Sequence, residues 1–350
     1  MCARVAVAMS GGVDSTVAAW LLQQEGHQLL GVTMELCGQE SASPAAREAA
    51  GQLGIPHRSL PFHQLFARQV IDPFVRSYEA GETPNPCVEC NRTMKFGALL
   101  DRVLDLGCDC LATGHYVRSA RDPATGRWLL RKGTFLEKDQ SYVLYSLTQE
   151  QLSRSLFPLG GLSKEEVRSM AEGAGLTCAR AGDSQDICFV PDGDYGAFLR
   201  RYTGRDYPSG PFLDEEGHVL GTHTGLVDYT LGQRRGLGIS SNHGRLYVSR
   251  LRPEDNSVVL SDNASLFSRR LTAHRLNFIP FPALTGPLRL KAKVRYRMAE
   301  QPCLLEPLGP DLVQVTFDHP QRAITPGQAV VFYQDDLVVG GGTIRKGESL

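Results

Sequence analysis

Two groups of residues have the types and spacing to do chemistry. The first is the run Ala8, Met9, Ser10, Gly11, Gly12, Val13, Asp14 and Ser15. It lies between an apolar strand candidate, Val5–Met9, and a segment with helical spacing, Thr16–Gln24. Gly11 and Gly12 allow close backbone approach that a side chain would block. Unpaired amides and the dipole at a helix start hold anions. Ser10 and Ser15 add hydroxyl donors, and Asp14 has two roles open to it, capping the helix or holding magnesium. The run lacks the Gly-Lys-Ser/Thr end of a Walker loop and the Gly-x-Gly-x-x-Gly of a dinucleotide fold. It reads as a loop that holds the phosphates of a nucleotide; a tight strand–helix turn is the bland alternative.

The second group is cysteine. Cys87 and Cys90 form a Cys-x-x-Cys pair after Pro84 and Pro86, just before a helical stretch expected over 91–106. Placed near the start of that helix, Cys90 is expected to gain thiolate character from the dipole. A structural zinc site needs two more ligands, and no second Cys-x-x-Cys exists. Cys108 and Cys110 read as small core residues. Cys188 lies in the apolar run Ile187–Val190, which suits a buried strand, but beside the polar run Asp183–Asp186. Cys2, Cys37, Cys178 and Cys303 have no motif around them.

The elements that must position these groups alternate between strand and helix over the first two hundred residues. Strands are expected at 5–9, 29–36 and 110–115, and helices at 16–24, 44–53, 62–78 and 91–106. A capping box, Ser163 to Glu166, opens another helix that ends near Gly173. This alternation predicts a parallel sheet covered by helices. From about Arg205 short β-rich runs dominate, as in small barrels. The expected architecture is an α/β domain over 1–204 followed by two small all-β domains, 205–263 and 264–350.

Composition sets the frame. The 350 residues are 42% apolar and 21% charged, which excludes a disordered chain. No apolar run approaches the ~20 residues of a membrane helix. The N-terminus lacks a cleavable signal pattern, so a cytoplasmic location is expected. The net charge of −1 argues, taken whole, against nucleic acid. It conceals an asymmetry: Ser268–Arg297 holds eight Lys or Arg and no Asp or Glu. Arg289, Lys291, Lys293, Arg295 and Arg297 alternate at strand period, so one cationic face is expected, suited to an RNA backbone.

In order along the chain, AMSGGVDS, GVTMEL, TPNPCVECN, MKFG, ATGHY, KDQSYVLY, LFPLGGL, SQDICFV, TLGQRRGLGI, VRYR and TPGQAVVFY closely resemble the tRNA-specific 2-thiouridylase family. SGGVDS by itself resembles the loop of ATP-pyrophosphatases. The resemblance covers residues 8–333. It implies an adenine nucleotide alpha-hydrolase-like domain with two β domains. It also implies adenylation of the wobble uracil 2-oxygen by ATP with magnesium, followed by sulfur transfer. By the same resemblance, Cys188 carries a persulfide. Cys90 is the nucleophile, either releasing sulfide from that persulfide or pairing with Cys188 as a disulfide. Met34 and Gly114 contact the nucleotide. Asn85, Pro86 and Cys87 lie beside the target base. His115, Lys138, Asp139, Gln140, Arg295, Tyr296 and Gln328 contact tRNA. Many relatives carry Asp, a proposed acid/base group, where this chain has Cys87. With a cysteine there, a second route stays open, in which Cys87, Cys90 and Cys188 hold an iron–sulfur cluster. A cysteine desulfurase or sulfur relay protein is the expected donor, and a monomer is expected. Two other readings are a pyrophosphate-loop ATPase acting on a small molecule, and an RNA-binding or metal-storage module with no ATP turnover.

Overall fold

A computed structural model describes residues 4–37, 42–180, 187–239 and 244–345. Five strands form one parallel sheet in the spatial order His57–Pro61, Gln28–Glu35, Arg4–Ala8, Cys110–Ala112, Ser155–Leu156. Val5, Val7, Leu30 and Val32 are buried, so these strands read as apolar runs without alternation, as expected of a sheet covered on both faces. The chain moves outward from Arg4–Ala8 in one direction and then returns to its other side. That reversal makes the C-terminal end of the first strand a topological switch point, where open α/β sheets bind ligands.

A four-stranded sheet follows, in the order Tyr247–Arg252, Ser257–Ser261, Gly210–Leu213, Val219–His223. The last sheet closes on itself. Phe267–Phe278 pairs with both Leu312–Arg322 and Leu337–Ile344, and Gln301–Gly309, Leu288–Lys293 and Ala329–Gln334 complete the ring. A hairpin from the first part of the chain, Val117–Arg121 with Trp128–Lys132, extends this sheet from Leu337–Ile344. Arg118 and Arg131 both bind Asp336 there, at 2.9 and 2.6 Å. One core cluster therefore joins Ala6 and Leu111 of the parallel sheet to Val331, Tyr333 and Val338 of the barrel. No described helix is long and apolar enough to cross a membrane.

Three sequence expectations change. The helix expected from 91 begins at Pro86 and runs to Asp105 through a π-helical segment, Cys90–Leu99. Pro86 starts it, because proline's missing N–H costs nothing at the first helical position. The strand-period alternation that runs to Arg297 outlasts its strand, Leu288–Lys293. Ile187–Val190 is a turn rather than a strand, closed by Val190 N–H to the Ile187 carbonyl at 2.9 Å. Phe189 anchors that turn among Phe66, Phe74 and Phe198 and leaves Cys188 exposed. The polar run 183–186 lies outside the described residues, as does Cys2.

Candidate active site

The phosphate loop is built by backbone. Gly11 has φ +80°, and a Cβ there would stand 2.4 Å from the Ala45 Cβ. Gly12 is the N-cap of the helix Val13–Gln24, and no side chain caps it. The first-turn amides are thus left for a ligand. Ser10 N–H donates to Ser15 Oγ (3.2 Å), and Ser15 Oγ donates to the Gly12 carbonyl (3.1 Å), which folds the loop over the helix start. Gly114 abuts the same turn: a Cβ on it would lie 2.8 Å from the Asp14 carbonyl carbon and 2.9 Å from Ser15 N. Met34 ends the neighbouring strand, half-buried.

Asp14 neither caps the helix nor stands free for a cation. Lys164 Nζ donates to both its oxygens, at 2.7 and 2.9 Å, and Tyr116 O–H donates to Oδ1 at 2.6 Å. Lys164 is buried at the first position of the helix Lys164–Gly173, whose capping box of Ser163 and Glu166 forms as expected. Lys164 and Tyr116 were legible only as parts of other patterns, the capping box and ATGHY.

The sulfur groups gather at the helix whose Phe96 ring lies 5.9 Å from the His115 ring. Asn85 caps the helix from Pro86, its Oδ1 accepting from Cys87 N (3.1 Å) and Val88 N (3.4 Å). Cys87, not Cys90, therefore sits in the first turn. Cys90 lies a turn deeper, and burial pushes its thiol up to about 12, with Lys95 the opposing cation. The expected gain of thiolate character at Cys90 from the helix dipole is absent, because the helix starts earlier and desolvation dominates. Burial also pushes Cys188 up to about 11 and raises Cys87. Cys87 and Cys188 do expose surface, yet dense protein around each still desolvates the thiol.

The three thiols are near enough to act on one another electrostatically, and Lys95 acts on all three. Lys95 is the site residue that sequence reasoning missed; its signal was position, five residues after Cys90 in MKFG. The π-helical register stacks residues five apart. Cys108, Cys110, Cys178 and Cys303 are buried elsewhere.

Residues 3–192 match the family model described as tRNA methyl transferase HUP domain. Residues 196–262 match the tRNA methyl transferase PRC-barrel domain, and residues 268–344 the Aminomethyltransferase beta-barrel domain. The chain is 46% identical to the tRNA-specific 2-thiouridylase MnmA of Acetivibrio thermocellus over 98% of this chain and 99% of that one. It is 48% identical to the protein of the same name from Heliobacterium modesticaldum, over 97% and 92% of the two chains. Against that of Carboxydothermus hydrogenoformans the figures are 47%, 98% and 98%.

The chain belongs to the tRNA-specific 2-thiouridylase family.

Most residues that the family resemblance assigns to tRNA hold hydrogen bonds within the protein, Tyr296 among them although it is exposed. His115 is buried, its Nδ1 2.8 Å from Thr113 Oγ1; burial, with Lys95 nearby, holds its pKa well below the usual histidine value. Lys138 ends the single turn Leu136–Lys138, and Gln140 precedes a second single turn, Ser141–Val143. Asp139 is buried and accepts from Gly133 N, Ser141 N and Ser141 Oγ. Gln140 Oε1 accepts from Tyr116 N at 3.0 Å. Tyr296 O–H donates to the Asp139 carbonyl at 3.1 Å. Arg295 Nη2 donates to the Ala323 carbonyl and Thr325 Oγ1, both at 2.9 Å.

The single cationic face expected over 289–297 is also divided. Arg289 is paired with Asp318 at 2.7 Å and Lys293 with Glu300 at 3.8 Å, while Lys291 stays exposed. Asp318 comes from 29 residues beyond Arg289, and Glu300 stands three residues past the end of the acid-free run, so a charge count that stops at Arg297 includes neither.

Proposed function

We propose that the chain is an ATP-dependent sulfurtransferase that replaces the 2-oxygen of the wobble uridine of tRNA with sulfur. The observation that carries this reading is the segment Thr113–His115. Its Gly114 seats the phosphate loop, and its His115 lies against the helix of the thiols, with the Phe96 ring 5.9 Å away. A base activated at one side thus meets sulfur from the other.

The loop amides and Ser10 and Ser15 bind the departing pyrophosphate as the uracil 2-oxygen bonds to the α-phosphorus. The outer sulfur of a Cys188 persulfide then attacks C2, and AMP leaves. Attack of the Cys90 thiolate on Cys188 Sγ leaves the sulfur on the base and the two cysteines as a disulfide, which an external dithiol reduces. In the other order, Cys90 first frees sulfide from the persulfide. Of the two roles open to Asp14, holding magnesium is disfavoured by Lys164, which already donates to both its oxygens. A cluster on Cys87, Cys90 and Cys188 would supply an open iron for sulfide; the three thiols influence one another electrostatically, which supports such a ligand set, though their sulfurs do not stand close enough to share a single metal ion. Anaerobic reconstitution separates the routes: visible-region cluster absorption together with iron-dependent activity favours the cluster, and full activity in iron-free protein removes it.

The test of the function is thiolation of unmodified tRNA with ATP and a sulfur donor. Cys90→Ser and Cys188→Ser should abolish thiolation while tRNA-dependent pyrophosphate release persists. Retained thiolation in Cys188→Ser refutes the persulfide assignment. Pyrophosphate release that requires a small molecule instead of tRNA would move the chain to the small-molecule reading, and no ATP turnover at all to the binding-module reading.

A further inference from the structure

Gln328 is half-buried in the turn Thr325–Gln328, which leads into the barrel strand Ala329–Gln334. Its amide does not face solvent unpartnered. Nε2 donates to the Thr83 carbonyl at 2.7 Å and lies 3.4 Å from the Pro84 carbonyl. The same turn grips the same segment by backbone, since Thr83 N–H donates to the Pro326 carbonyl at 2.9 Å. Gly327, at φ +86°, leaves no room between the two: a Cβ there would stand 3.0 Å from Glu82 Cβ and 3.2 Å from Thr83 N.

The turn is itself held firmly. Gly327 N–H donates to the Ile344 carbonyl (2.9 Å), and Ile344 N–H donates to the Gln328 carbonyl (2.7 Å). Arg295 holds the buried Thr325 from the other side. Beyond Pro84 the gripped segment continues directly into Asn85, whose side chain caps the helix bearing Cys87 and Cys90.

We propose that Gln328 is a positioning residue for sulfur transfer: in the free protein it fixes the Thr83–Asn85 approach to the cysteine helix from the barrel. The chain of contacts is short and continuous. It runs from barrel strand to Gln328, to the carbonyls of Thr83 and Pro84, to the Asn85 cap, to the first helical turn. The barrel therefore holds the loop beside the sulfur groups through one side chain and one backbone hydrogen bond. The role given to the cysteines rests on the function proposed above; the clasp itself does not.

The experiment uses the full chain without RNA. Hydrogen exchange at residues 83–90 and iodoacetamide alkylation of Cys90 are read by mass spectrometry for the unaltered protein, Gln328→Ala and Gln328→Glu. The alanine variant should speed both by about threefold to tenfold, the population shift expected from losing one neutral hydrogen bond. The glutamate variant, whose carboxylate cannot donate to either carbonyl, should do at least as much. The barrel's exchange pattern over 329–344 should stay as it was. With tRNA present, Gln328→Ala should then lower thiolation kcat and leave KM for tRNA within about twofold. Unchanged or slower exchange and alkylation in the RNA-free variants overturns the clasp, whatever tRNA affinity does; Gln328 is then an RNA contact only. Faster exchange combined with full thiolation by Cys90→Ser upholds the clasp and overturns the role given to Cys90.

Discussion

The phosphate loop and the barrel side proposed to meet RNA are built on opposite principles. The loop is local: Gly11, Gly12 and the first turn of one helix make the anion site from six consecutive residues, and only Asp14 is held by remote side chains. The barrel side is distributed. Arg295, Tyr296 and Gln328 each reach across to backbone or hydroxyl groups in other parts of the chain. A site made from contiguous backbone is complete before its ligand arrives. A site made from long side chains that already hold hydrogen bonds must exchange those bonds for its ligand, so its residues serve the fold as well as the substrate.

The strongest way to break this contrast is at Asp14. If the loop is prebuilt, Asp14→Ala, which lets Lys164 and Tyr116 shift beside the loop, should lower tRNA-dependent pyrophosphate release by about 100-fold while tRNA affinity stays unchanged. It should also destabilise the chain by about 1–3 kcal/mol in urea, because it removes the carboxylate that accepts two hydrogen bonds from the buried Lys164 ammonium. Adding Lys164→Met should recover much of that stability without recovering activity. A single variant that weakened tRNA binding as much as pyrophosphate release would show that the two regions are not separable.

This contrast also explains what could be read from sequence. The parallel sheet, the capping box at Ser163 and the loop from Ser10 to Ser15 follow from nearest-neighbour chemistry, and they appear where their residue types require. Gln301–Gly309 escaped notice as a strand because Pro302 and Pro307 interrupt its pattern. Phe267–Phe278 escaped because charged and polar residues dilute it. The partners of Asp14 lie 102 and 150 residues away, and Arg289 meets Asp318 from 29 residues on. No short window of sequence contains those pairs, so neither the neutralised Asp14 nor the Arg289–Asp318 pair was legible, whereas Glu300, the partner of Lys293, stood just past the acid-free run. The cysteine trio was legible as residues, but not its electrostatics, which depend on where the helix begins.

A second test sharpens the contrast at the sulfur site, which lies between the two regions. Thiolate is the deprotonated form, and burial raises the Cys90 pKa to about 12. Alkylation of Cys90 in the free chain should therefore rise about tenfold per pH unit from pH 7 to 9 without reaching a plateau. Lys95 opposes that rise, so Lys95→Gln should slow alkylation of Cys90 about threefold to tenfold at each pH, and Lys95→Arg should restore it. An alkylation profile with a plateau near pH 7 would mean that the site is already activated without RNA.

The smallest expected effect lies on the barrel strand itself. Arg289, Lys291 and Lys293 share its outer face, but only Lys291 has no acidic partner among the described residues. If pairing decides which charges are available to phosphate, Lys291→Ala should reduce the slope of log affinity against log salt for tRNA by about 1. Arg289→Ala should change it less, because binding RNA through Arg289 first requires release of Asp318, whose charge then opposes the phosphate. Equal slopes in the two variants would mean that the exposed Arg289–Asp318 pair opens without measurable cost. The strand would then act as the uniform cationic face that its sequence suggests, with acids that screen it in the free chain and withdraw in the complex.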